Sequence, residues 1–168
     1  TLTFNDDGSY TYDPGSEFDS LGEGESQQVT FTYTATDDDG AVSEPAVVTI
    51  TINGINDAPL ADSGAITVAE ESTDTSLGLS APTDPDGDAL TITVTGLPTL
   101  GVVTLADGSP VTNGQTLTAA DLVGLQYDAP ADYDGVANPG DFTYSVSDGA
   151  ETVNGRVDIT VTPVDDLP

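Results

Sequence analysis

Acidic side chains supply nearly all the chemistry open to this sequence. Of its 168 residues, 30 are Asp or Glu and one, Arg156, is basic, giving a formal charge of −29 at pH 7. Histidine, cysteine, methionine and tryptophan are absent. The usual ligands of zinc, haem and iron–sulfur clusters are therefore missing, as are the thiol and the Ser–His pair of nucleophilic catalysis. What remains is oxygen: carboxylates, hydroxyls, backbone carbonyls and the hard cations they bind. The carboxylates are grouped rather than scattered. Asp84-Pro85-Asp86-Gly87-Asp88 is the densest run, joined by Asn56-Asp57, Asp148-Gly149, Asp37-Asp38-Asp39-Gly40, Glu70-Glu71, Asp141 and Asp165-Asp166.

Grouped carboxylates are costly without a counter-ion. Two of them ~4 Å apart repel by ~4 kcal/mol at an effective dielectric near 20. A divalent cation cancels that repulsion and turns the group into a crosslink. Calcium accepts six to eight oxygens in flexible geometry, which suits loop carboxylates, whereas magnesium demands a tight octahedron and keeps its water. Ca2+ is therefore the expected cofactor. The competing reading is turn chemistry, since Asp and Gly favour tight turns with or without a metal. Calcium is preferred for Asn56, Asp57, Asp84, Asp86, Asp88 and Asp148. It is also preferred for Glu70, Glu71, Asp141, Asp165 and Asp166, a second site that a following domain would finish. The two readings balance at Asp37 and Asp39, and turn chemistry wins at Asp6, Asp7 and Asp107. Solubility accounts for the total charge but not for its grouping.

The same composition excludes partners and activities. Nucleic acid and anionic membranes need Lys and Arg clusters that are not there. No apolar run reaches the roughly 18 residues of a membrane span. An export signal is expected outside this segment. With so many acids, carboxylate pairs of the glycosidase kind arise by chance, and almost no cation is present to stabilise an anionic transition state. No catalytic activity is expected, and Arg156 is expected to be a strand-surface partner for nearby acid.

The elements that must position these groups are strands. Val29, Phe31, Tyr33 and Ala35 alternate with threonines, as do Leu90, Ile92 and Val94. Phe142, Tyr144 and Val146, and Val157, Ile159 and Val161, repeat the pattern. Period two with Thr on the wet face predicts antiparallel strands with one dry face. Turn signals such as Asp39-Gly40, Asn53-Gly54, Asp86-Gly87, Asp107-Gly108 and Asn113-Gly114 separate them, the pattern of an all-β sandwich. Only LTAADLVG, residues 117–124, reads as a helical turn.

The chain also repeats itself. Phe31-Thr32-Tyr33-Thr34-Ala35-Thr36-Asp37 matches Phe142-Thr143-Tyr144-Ser145-Val146-Ser147-Asp148, and the segments ending at Pro59 and Pro168 match in turn. The spacing is that of one sandwich domain, so tandem domains are expected. The boundaries fall at 1–55 for the C-terminal part of one sandwich, 56–59 for a linker, and 60–168 for a complete one. The first part offers four strand candidates, Thr1–Phe4, Ser9–Tyr12, Val29–Thr36 and Ala46–Asn53, against seven in the second. It is expected to be completed by other polypeptide or to be less ordered. Alternating strands A (Ala65–Val68), B (Leu77–Ala81) and C bring the 84–88 loop, Asp148 and the linker to one pole. Glu70, Glu71, Asp132, Asp134, Asp141, Asp165 and Asp166 fall at the other.

These motifs carry a family likeness. Asn56-Asp57-Ala58-Pro59, Glu70-Glu71, Asp84–Asp88, Thr118–Leu122, Tyr127, Phe142–Gly149 and Thr162–Pro168 make the second part resemble a cadherin-like, Ig-like tandem repeat of bacterial surface adhesins. Thr1–Phe4, Asp7–Tyr12 and Phe31–Gly40 make the first part resemble the second half of a VCBS-type repeat. The resemblance implies tandem Ig-like sandwiches of a secreted, RTX-type adhesin on the bacterial cell surface, stiffened by calcium and acting in adhesion and biofilm. It implies neighbouring repeats as partners and allows an inserted ligand-binding domain that splits the first sandwich. The alternative function is a module that itself binds a glycan or protein. Two motifs depart from related patterns. Asp165-Asp166-Leu167-Pro168 stands where Asn-Asp-Ala-Pro is usual, and the 84–88 loop fails the EF-hand pattern because Ala89 follows Asp88.

Overall fold

The computed structural model describes residues 1–5 and 7–165. The chain divides into two units, Thr1–Asp57 and Ala58–Pro168. Both are built of strands, and the sheets are arranged as in a β-sandwich, as the alternation predicts. No helix among the described residues is long and apolar enough to cross a membrane.

In the first unit β1 (Leu2–Phe4) pairs antiparallel with β2 (Tyr10–Tyr12). A 3-10 turn follows at Gly15–Phe18. Then β3 (Ser26–Tyr33) pairs antiparallel with β4 (Ala46–Asn53), in register from Ser26↔Asn53 to Tyr33↔Ala46. The expected strand Val29–Thr36 is thus displaced toward the N-terminus. Past Tyr33 the chain curls into a turn in which Asp37 Oδ1 accepts the Asp39 and Ala41 amides at 3.1 and 2.8 Å. The ladder shrinks there to the single bridge Thr36↔Val42. Val29, Phe31, Val48, Ile50 and Ile52 share the half-buried face, and no described residue of this unit is fully buried.

The second unit adds β5 (Gly64–Ala69), β6 (Thr75–Ser76), β7 (Thr91–Gly96), β8 (Val102–Thr104) and β9 (Thr116–Leu117). It continues with α1 (Ala119–Val123), β10 (Gln126–Asp128), β11 (Asp141–Ser147) and β12 (Thr152–Thr162). One sheet has the order β5-β12-β11-β7-β9 and the other β6-β10-β8. Every pairing is antiparallel except β5 with β12, which run parallel from Gly64↔Val157 to Ala69↔Thr162. Phe142, Tyr144 and Val146 of β11, Val157, Ile159 and Val161 of β12, and Ile92 and Val94 of β7 fill the core from one sheet. Leu122, Leu125 and Tyr127 complete it.

Strand B is not a strand over Leu77–Ala81. The ladder gives out past Leu77, whose amide still donates to the Leu125 carbonyl, because Gly78 turns with φ +70° and the Ser80 amide goes to Asp62 Oδ2. The alternation still buries Leu77 and Leu79. The predicted helical turn is α1, held by a capping box in which Thr118 Oγ1 accepts the Asp121 amide and Asp121 accepts the Thr118 amide. Gly155 faces Tyr144 across the ladder. A Cβ at Gly155 would lie 2.3 Å from the Tyr144 ring, so the missing side chain is what lets the ring cross β12 and donate its hydroxyl to the Asp62 carbonyl at 2.8 Å.

A candidate metal centre in the 84–88 loop

Among the described residues one acidic group could hold a metal: Asp84, Asp86 and Asp88, each offering an oxygen, with these atoms all within 4.8 Å of one another. The loop is shaped by Asp84 itself. Its Oδ1 accepts the Asp86 and Asp88 amides at 3.0 and 3.2 Å, and its carbonyl accepts the Gly87 amide at 3.2 Å. Gly87 closes the turn at φ +80°, a conformation that disfavours a side chain. The second oxygen, Asp84 Oδ2, is sealed from solvent and meets no hydrogen-bond donor. A carboxylate oxygen shut away in that state has lost its hydration with nothing in return. Oxygen spacings under 4.8 Å carry a repulsion of about 3–4 kcal/mol per charged pair at an effective dielectric near 20. The donor set is purely hard oxygen, and it fits calcium better than any softer ion.

The loop sits where the chain enters the second unit. Leu60 and Thr83 form an isolated antiparallel bridge, with amide-to-carbonyl distances of 2.8 and 3.3 Å, so Leu60 lies beside the base of the Asp84 turn. Asp148 is carried to the same end by the β11–β7 pairing, Ser147↔Thr91, but does not join the three-carboxylate group. Its Oδ1 accepts the Ala150 and Glu151 amides at 2.7 and 2.6 Å and shapes the β11–β12 turn. Asn56 and Asp57 are half-buried residues at the end of the first unit, where Asn56 Nδ2 lies 3.4 Å from the Asp57 carbonyl. Asp37 and Asp39 share the turn described above and stay exposed.

The opposite end is organised by Glu70, which is 5% exposed. One of its oxygens accepts the Tyr133 amide and the other accepts the Val164 amide at 2.5 Å. The carboxylate clasps the 130s loop and the chain leaving β12. Glu71 beside it is exposed, adopts φ +62°, and donates its amide to the Pro130 carbonyl. Asp141 opens β11 and is 3.0 Å from the Arg156 guanidinium, which also pairs with Asp158. Arg156 is thus the strand-surface counter-charge expected of it. Asp165 is exposed, and Asp166 lies outside the described residues.

Sequence reasoning missed the clasp made by Glu70. The signal available was the period-two alternation Ile66, Val68, Glu70, which puts Glu70 and not Glu71 on the buried side of the strand.

The family profile of the bacterial Ig domain matches residues 56–160. The chain belongs to that family. Residues 1–54 match the profile of the bacterial cadherin-like domain. Such domains make extracellular structural or adhesion-type modules. A comparison with curated proteins finds no match. Among solved structures, the protocadherin gamma B2 extracellular cadherin domains 1–5 are 14% identical at a TM-score of 0.45, covering 99% of this chain and 31% of that one. An endo-fucoidan hydrolase from glycoside hydrolase family 107 is 22% identical at 0.39, covering 98% and 22%. Domains 4 and 5 of the S-layer protein SbsC are 12% identical at 0.32, covering 95% and 79%. The chain thus spans about a fifth of the hydrolase, and at these scores the likenesses carry no argument about function.

Proposed function

We propose that this bacterial Ig domain chain is a spacer or scaffold segment of a secreted surface adhesin, and that calcium bound by Asp84, Asp86 and Asp88 fixes the loop where the chain enters the second unit. The supporting observation is the Asp84 turn, with its three converging carboxylates and an Oδ2 that is shut off from both water and donors. Calcium supplies charge neutralisation and crosslinking there, not reactivity. The residues do the rest: Asp84 Oδ1 holds the turn, and the Leu60–Thr83 bridge ties it to the incoming chain. Neighbouring repeats are the partners of such a segment, and backbone carbonyls of the 84–88 loop together with water are the candidates to complete the coordination.

Extracellular modules of this kind bind calcium with Kd ~10⁻⁴–10⁻³ M. At ten times Kd one site stabilises the fold by about 1.4 kcal/mol. The test is calorimetric titration with calcium and with magnesium, followed by thermal melting in each. Saturable binding of calcium with a higher Tm, and much less with magnesium, supports the reading. No binding of calcium at 10 mM overturns it.

A further inference from the structure

We propose that Asp134–Gly135 is a self-modification site, where the chain rearranges through a cyclic imide into an isoaspartyl linkage. The chemistry is intrinsic to aspartate followed by glycine. The glycine nitrogen attacks the side-chain carboxyl carbon, a C–N bond forms, and a carboxyl oxygen leaves as water with the nitrogen's proton. Water then reopens the imide at either carbonyl. Opening at the side-chain carbonyl restores aspartate. Opening at the main-chain carbonyl leaves the backbone running through the side chain, longer by one methylene. No oxidant, reductant or cofactor takes part. Glycine favours the attack because it puts no Cβ beside the attacking nitrogen.

The chain contains six Asp-Gly pairs, beginning at Asp7, Asp39, Asp86, Asp107, Asp134 and Asp148. Four of them are directly comparable. Asp7, Asp107, Asp134 and Asp148 each accept the amide two residues on through Oδ1, at 2.9, 2.9, 3.0 and 2.7 Å. Each carboxyl is therefore folded back over its own Asp–Gly peptide. What differs is the nucleophile. The Gly8 amide donates to the Asn5 carbonyl at 3.0 Å, Gly108 to the Leu105 carbonyl at 2.9 Å, and Gly149 to Ser147 Oγ at 3.2 Å. Gly40 and Gly87 donate to the carbonyls of Asp37 and Asp84. Of the six, only the Gly135 amide meets no acceptor among the described residues. A nitrogen held through its N–H must break that bond to turn toward the carboxyl carbon, which slows attack about tenfold.

The 130s loop shows why Gly135 stands apart. At Gly8, Gly40, Gly87 and Gly108 the amide closes a tight turn onto the carbonyl three residues back. Around Gly135 the groups bond elsewhere: the Tyr133 amide goes to the Glu70 carboxylate, and the Tyr133 hydroxyl to the Ala137 carbonyl at 2.6 Å. Asp134 and Gly135 are both exposed, so water reaches the imide. The site adjoins the clasp made by Glu70. An added methylene at Asp134 lengthens the chain between Tyr133 and β11, and conversion should loosen the Tyr133 amide from Glu70. This proposal is independent of the calcium site.

The test ages the whole chain at neutral pH, folded in buffer and unfolded in urea. Isoaspartate is located by peptide mass spectrometry with electron-transfer fragmentation, and by loss of cleavage before residue 134 with an Asp-specific protease. In the folded chain, conversion at Asp134 should run about tenfold faster than at Asp7, Asp107 and Asp148. The four rates should converge in urea. Asp134→Glu would need a larger, six-membered imide and should show no conversion at that position. Hydrogen exchange followed by NMR then compares the converted fraction with Asp134→Glu protein aged alike. The Tyr133 amide should exchange faster in the converted fraction. Equal rates at the four sites in the folded chain overturn the proposal. So does an excess at Asp134 that persists unchanged in urea, since sequence and not fold would then set it. Unchanged exchange at Tyr133 overturns the loosening of the clasp.

Discussion

An aspartate whose Oδ1 accepts the amide two residues on recurs throughout this chain: Asp7, Asp13, Asp37, Asp84, Asp107, Asp134 and Asp148 all do it. These seven of the 30 acids are turn hardware, and what separates Asp84 is the convergence of its neighbours and its sealed second oxygen. Asn keeps the turn acceptor while removing the charge. Asp84→Asn should fold, should lose the calcium-induced rise in Tm, and should match or exceed the parent's stability in chelator, all read by melting with and without calcium. Asp148→Asn should keep the calcium response. Glu70 poses a different case, because both its oxygens are occupied by backbone amides. Glu70→Gln turns one acceptor into a donor facing an amide and should cost about 1–3 kcal/mol in urea denaturation, with calcium present or absent. A loss confined to calcium-containing buffer would instead make Glu70 a metal ligand.

At the level of elements, the Gly155–Tyr144 crossing is the tightest feature of the larger sheet. Gly155→Val must displace the Tyr144 ring or β12, and overpacking of this kind costs about 1–3 kcal/mol. The denaturation midpoint should fall with the slope unchanged. Tyr144→Phe in the same background should not restore it, because the clash is with the ring and not with the hydroxyl. The core strands were legible because period two is a local signal: β4 matches its expected residues 46–53, and β7, β11 and β12 bury the residues their alternation marks. Two features were not local. Leu77–Ala81 alternates like a strand, yet the chain turns at Gly78 and the Ser80 amide is taken by Asp62, a partner that sequence spacing does not reveal. Ser26–Gln28 has no alternation and is strand only because β4 lies opposite. The Asp84 group was legible for the same reason as the strands, since all three carboxylates lie within five residues. Glu70 was not, because its partners Tyr133 and Val164 are 63 and 94 residues away.

For the whole molecule, a charge of −29 opposes compaction. Screening shortens from about 30 Å at 0.01 M salt to about 10 Å at 0.1 M, so in calcium-free buffer Tm should rise across that range of sodium chloride. Acid acts the other way on particular groups. The Ser9 hydroxyl holds the Asp7 carboxyl below its ordinary 3.8, the Ser80 amide does so for Asp62, the Ser109 amide for Asp107 and the Thr118 hydroxyl for Asp121. A carboxyl lowered by folding contributes stability above its unfolded value and loses it as pH falls through the folded one. Stability should therefore drop below pH 3.8, even though the net charge is then shrinking, and denaturation midpoints taken from pH 6 to pH 2 test the sign. The parallel pairing of β5 with β12 has one more consequence. These are the first and last strands of the second unit, and the chain enters at one end of the pair and leaves at the other. Tension applied along an array would load the rungs from Gly64↔Val157 to Ala69↔Thr162 in shear, all together. The antiparallel β3–β4 hairpin, pulled at its adjoining ends, would open one rung at a time. The larger unit is thus the mechanically resistant link of the chain.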